Sequence, residues 1–261
     1  MLETNADVLK RSLNTPPVAE AVAGIEFRGR GLDVVGLVRE SAKWKSTYPL
    51  VTAQPPLPGT RPIGQPSSEI EFQFGPGLET RLWSASDDQA WLVQTQDDRV
   101  LLNWRRIDEG KLYPGYKIIR ATFESALEKL DRPNEEPLVP LVAEFTFVNQ
   151  IPATPALHDT YSVFRKPDQP LPGDIVAERY EAVTRTQLDI GLAQVSVSIQ
   201  PANAEPGATM LTIATKVFAA SPLKENRIID LLDSAHALSK TAFFAIVSDD
   251  TTKRWGPSDG A

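Results

Sequence analysis

The sequence predicts an α+β protein built as two topologically similar halves, each an antiparallel sheet packed with helices. Three observations carry this reading. Short β-rich runs are separated by acidic turn residues at 80–106, two long segments at 116–131 and 225–248 have helical apolar spacing, and the order strand, helix, meander, helix occurs twice along the 261 residues. The boundary between the halves falls at 135/136, giving an N-terminal unit 1–135 and a C-terminal unit 136–261.

In the first half, "PPVAEAVAGIEFRG" alternates as a strand, with Ala21, Ala23, Ile25 and Phe27 on its buried face. "LDVVGLVRESAKWKS" follows as a helix with Asp33 in its first turn, where the dipole favours a carboxylate, and with Leu32, Val35, Leu37, Val38, Ala42 and Trp44 as its apolar positions. The proline-rich stretch 49–66 is a loop too long for an ordinary connection, and "EIEFQFG" at 69–75 alternates as a strand. "TRLWSAS", "AWLVQTQ" and "RVLLNWR" are three strands joined at Asp87-Asp88 and Asp97-Asp98. Helix 116–131 places Ile119, Phe123, Ala126, Leu127 and Leu130 on one face. The second half repeats the order: a strand at 141–151, a short helical or irregular piece at 157–165, three strands, and a closing helix with Ile228, Leu231, Leu232, Ala235, Leu238 and Ala242 buried.

Composition narrows the function. A net charge of −7 gives no basic field to hold nucleic acid. The absence of cysteine excludes disulfides, thiolate nucleophiles, iron–sulfur clusters and cysteine zinc sites. No apolar run approaches the ~20 residues of a membrane-spanning helix, and the first residues lack the pattern of a signal peptide, so a cytoplasmic protein without a membrane partner is expected. Only His158 and His236 are histidines, and no metal-binding spacing surrounds them. His158-Asp159 reads as a solvated loop pair, and His236, with Asp233 three residues before it, reads as an edge residue of the last helix. Neither a GxSxG elbow nor a P-loop occurs, and the one SxxK spacing, Ser221–Lys224, lacks its companion motifs. No cofactor is expected.

The one chemical constellation is a corner. On the strand "RVLLNWR", Trp104 shares a face with Val100 and Leu102, while Asn103 and Arg105 point the other way. Tyr113-Pro114-Gly115-Tyr116 then leads into a helix N-terminus. Asn103, Arg105, Tyr113 and Tyr116, with Asn149 from the matching strand of the second half, form a candidate site for an anion. The alternative is architectural, with Arg105 paired to Glu124 or Glu128 and the tyrosines packed on proline. The leading expectation is a non-enzymatic protein-binding module whose acidic surface masks a basic partner, in the manner of an immunity protein or antitoxin; the apolar residues around Trp255 and Phe243-Phe244 read either as a homodimer seam or as core. The corner as a small-ligand or enzyme site is the alternative function.

"PPVAEA" at 16–21, "DRVLLNWR" at 98–105, "YPGY" at 113–116, "FVNQI" at 147–151 and "LLDSAHALSKTAFF" with a later "WG" at 231–256 run in order along most of the chain. Together they resemble a sporadically distributed bacterial family of similar length with no assigned function. The resemblance implies shared fold, bacterial origin and an association with mobile or defence regions, and it implies no reaction. Where that family has an Arg-Tyr-x-Asn pattern, this chain reads Thr146-Phe147-Val148-Asn149, keeping only the Asn.

Overall fold

Alternation of apolar and polar residues places the strands first. In a computed structural model that describes residues 11–63, 80–108, 110–153, 156–164, 179–202, 207–220 and 224–256, the first strand is β1 (Val18–Phe27). Ala21, Ala23, Ile25 and Phe27 are fully buried along it, as the alternation requires. After β1 come α1 (Val34–Ser41), β2 (Leu50–Gln54), β3 (Arg81–Ala85), β4 (Trp91–Gln96), β5 (Arg99–Arg105) and α2 (Tyr116–Glu128). Then follow β6 (Pro140–Ile151), α3 (Leu157–Thr160), β7 (Tyr180–Leu188), β8 (Gly191–Pro201), β9 (Thr209–Ala219), α4 (Ile228–Ile246) and α5 (Asp249–Thr252). The expected strand at 69–75 and the first ten residues lie outside the described residues.

All nine described strands belong to one antiparallel sheet in the order β2-β3-β4-β5-β1-β6-β9-β8-β7. The sequence suggested a separate sheet in each half. Instead β1 pairs antiparallel with β6, from Val18 opposite Asn149 to Phe27 opposite Pro140, and the two meanders extend outward from this central pair. Joining there removes the two unpaired edges that separate sheets would have left.

Helices pack on one face. Ile119, Phe123, Ala126 and Leu127 of α2 are buried, and Leu130 just beyond it is also buried, as predicted. From α4, Ile228, Leu231, Leu232 and Ala235 join β1, β5 and β6 residues in a first core, while Phe243 and Ile246 join Ile199, Leu211 and Ile213 in a second. Leu238 and Ala242, expected in the core, pack at its edge, and Ser239 takes the buried position by bonding to Phe145 O (3.1 Å) and Thr215 Oγ1 (2.7 Å).

Helix α1 turns a different face inward from the one its valines suggest. Val35 and Val38 are 63% and 52% exposed, whereas Leu37, Glu40, Ser41 and Trp44 are buried. Asp33 is its N-cap, accepting from Gly36 N at 2.8 Å. A buried ion pair decides the rotation. The guanidinium of Arg30 donates to Glu40 and also to the carbonyls of Gln96 (2.9 Å), Asp97 (3.0 Å) and Asp131 (3.1 Å). The Glu40 carboxylate further accepts the Asp131 amide at 2.6 Å.

The other sheet face is polar and carries no helix among the described residues. The stretch expected as one long proline loop divides into the edge strand β2 and an extended strap, 55–63, that crosses this face.

Candidate functional site

The five candidate residues divide between the two sheet faces. Asn103 lies on the polar face, where its amide donates to Glu20 (2.8 Å) and its carbonyl accepts from Gln94 (2.7 Å). Arg105, at the exposed end of β5, donates from Nε to Gln89 O at 2.9 Å rather than to a helix carboxylate. Tyr113, Tyr116 and Asn149 come together on the helix face. Period-two alternation explains the split: Trp104, next to Asn103, meets the Tyr113 ring edge-on at 5.6 Å, so the tyrosines follow the Trp104 side of the sheet.

On the helix face these three residues line a cleft of about 290 Å³ between α2, α4 and the segment before β1. Gly115 is the N-cap of α2, with φ of 86° and no side-chain cap; its Cβ-free backbone makes the turn that brings Tyr113 and Tyr116 to the same cleft. The Tyr113 hydroxyl is buried in the wall without a hydrogen-bond partner. Tyr116 donates to Asp233 at 2.6 Å, and Arg120 holds the same carboxylate at 3.0 Å. Burial, and then that bond to Asp233, push the Tyr116 phenol well above its ordinary value, so it is a donor at neutral pH.

His236 stacks on Tyr116 at 3.6 Å with the rings 1° from parallel, and Phe145 and Phe147 meet it edge-on. Burial and the neighbouring Lys240 lower its pKa to about 3, so the imidazole is neutral and serves as an aromatic wall. Lys240, one turn further along α4, also lines the cleft, and burial lowers its pKa. Asn149 is buried, with Nδ2 donating to Leu211 O at 3.2 Å.

The remaining wall comes from the segment before β1 and from Phe243 and Phe244 of α4. Arg11 pairs with Asp249 at 2.8 Å and lies 4.4 Å from the Phe244 ring centroid. The amides of Asn14 and Thr15 donate to the carbonyls of Gly256 (3.0 Å) and Trp255 (3.1 Å), so the Trp-Gly segment ties down the strip that closes the cleft. None of the described residues lining the cleft is acidic, while Arg11 and Lys240 are basic. The arrangement has aromatic walls suited to a flat apolar body and the basic side chains of Arg11 and Lys240 to face an anionic group.

The other sequence candidates do not converge. His158 and Asp159 form a partly exposed pair at 3.6 Å. Asp88 caps its turn through Ala90 N (3.0 Å), and Asp97 accepts Leu32 N (2.6 Å). No group of three or more metal-ligating acidic or histidine side chains occurs among the described residues. Ser221 lies outside them. No helix of the described residues is long and apolar enough to cross a membrane. Sequence reasoning missed Lys240 as a site residue; the available signal was its i+4 spacing from His236 beside Phe243-Phe244. Compared with protein-family models, curated proteins and solved structures, the chain matches none.

Proposed function

We propose that the protein is a non-catalytic binder of a small, flat, anionic molecule, held in the cleft between Tyr113, Tyr116, His236 and Lys240. One observation carries this reading: a chain of net charge −7 has a cleft lined by aromatic rings and basic groups with no acidic residue among those described. His236 is a wall rather than a proton shuttle because it is held neutral. The anion-binding corner expected from sequence is thereby relocated. Tyr113, Tyr116 and Asn149 belong to it, and Asn103 and Arg105 do not.

The test is isothermal titration calorimetry with indole-3-carboxylate and naphthalene sulfonate, with acetate as the small control. Saturable binding of the aromatic anions is expected, weakened at least tenfold in Lys240→Met with an unchanged melting temperature. Equal affinity in Lys240→Met, or no binding of any aromatic anion, would overturn the reading.

A protein partner is the second reading, supported by the net charge of −7 and by the exposed proline-rich strap at 55–63. Kinship with the sporadic bacterial family, a cytoplasmic setting and a defence-associated role belong to this proposal as well. So does the origin of the sheet in two similar halves, 1–135 and 136–261, supported by the way each meander runs outward from the central β1–β6 pair.

A further inference from the structure

The polar sheet face holds its own proline strap in an unusual way. Between Pro55 and Ile63, "PPLPGTRPI", the prolines at 55, 56, 58 and 62 have no N–H to give. The amides of Leu57, Thr60 and Ile63 are each accepted by a side chain standing on the sheet. Leu57 donates to Gln96 Oε1 (2.8 Å), Thr60 to Glu26 (3.1 Å) and Ile63 to Gln194 Oε1 (2.9 Å). The spacing is three residues each time, which is one turn of a polyproline II helix, so all three amides face the same way.

The dimensions agree. Six residues at ~3.1 Å rise cover about 19 Å. The acceptors stand on β4, β1 and β8, and β4 is five strand spacings from β8, about 24 Å at ~4.8 Å each. The long glutamine side chains at the two ends bridge the difference. Carbonyls are read as well: Gln96 Nε2 donates to Leu57 O (3.1 Å), making a two-bonded amide pair, and Arg99 donates to Pro58 O (3.0 Å). Gln96, Arg99 and Gln194 are 4%, 6% and 4% exposed, so this row of polar groups is buried under the strap. The strap itself is poorly buried, with Pro55, Pro56, Pro58, Gly59, Arg61 and Ile63 all exposed.

We infer that this row on the sheet is a reader of polyproline II backbone, occupied in cis by the chain's own strap and able to take a proline-rich segment of a partner protein in its place. Recognition rests on main-chain groups and their three-residue spacing, so the partner needs prolines between free amides rather than one fixed set of side chains. The shallow seating of the strap favours exchange, because little apolar surface is lost when it lifts, and the polar row beneath is then solvated by water.

The experiment uses the full chain with residues 55–63 replaced by a Gly/Ser segment of equal length. The probe is a fluorescent synthetic peptide of residues 54–63, followed by anisotropy. Saturable binding is expected, at least tenfold tighter than to the unaltered chain. A peptide N-methylated at Leu57, Thr60 and Ile63 should bind at least tenfold more weakly, as should the normal peptide to the strap-replaced chain carrying Gln96→Ala. A folded strap-replaced chain that ignores the peptide, or that binds the N-methylated form equally, overturns the inference. If strap replacement prevents folding, amide exchange in the unaltered chain decides. Exchange at Leu57, Thr60 and Ile63 faster than at core amides such as Ile25 supports a strap that lifts, and exchange only with global unfolding refutes it.

Discussion

His236 shows how one residue's setting defines its role. Its pKa of about 3, against an ordinary value of 6.5, means that the unfolded chain binds a proton in this window that the folded chain refuses. Stability from this group is complete above the unfolded value and is lost as pH falls from about 6.5 toward 3. The expected slope is about 1.4 kcal/mol per pH unit within that window. Urea denaturation of wild type and His236→Phe between pH 4 and 7 checks this, and the variant should have the shallower dependence. The sequence correctly suggested an edge position with Asp233 nearby. The parallel stack on Tyr116 is invisible to local patterns because it joins α4 to the first residue of α2, 120 positions earlier. Asn103 was misplaced for the converse reason. Its outward direction on β5 was legible, but which sheet face the following loop would return to was not.

Among the elements, those with strict periodicity were readable and those anchored by polar groups were not. The buried faces of β1 and α2 follow their apolar spacing. Helix α1 does not, because Glu40, which looks like a surface residue, is fully buried by Arg30 and the Asp131 amide. Breaking such a pair leaves a buried guanidinium without its carboxylate, so Glu40→Ala should cost about 3–5 kcal/mol, measured by urea denaturation. A cost under 1 kcal/mol would mean that α1 is held by Leu37 and Trp44 alone. The stretch 49–66 reads as a loop because its six prolines and two glycines disfavour helices and central strands. Its three-residue rhythm against the sheet depends on residues at 26, 96 and 194, far away in sequence.

At the scale of the whole molecule, the α+β class was legible in the sequence and the union of the strands in one nine-stranded sheet was not. Pairing of β1 with β6 along most of their length, and the packing of α4 across β1, β6 and β9, tie the two sides of the sheet together. One unfolding transition is therefore expected, coincident by far-ultraviolet circular dichroism and by tryptophan fluorescence. Two transitions would show that 1–135 and 136–261 fold independently. The two proposed sites likewise divide by face rather than by half, with the aromatic, basic cleft on the helix side and the row of strap-binding polar groups on the other. Backbone amide NMR of the full chain titrated with indole-3-carboxylate shows whether the cleft takes an aromatic anion. Binding in the cleft gives shifts clustered at 113–118, 147–149 and 236–244, with the strap amides unmoved. Shifts confined to the polar face, or none at saturating ligand, would contradict it.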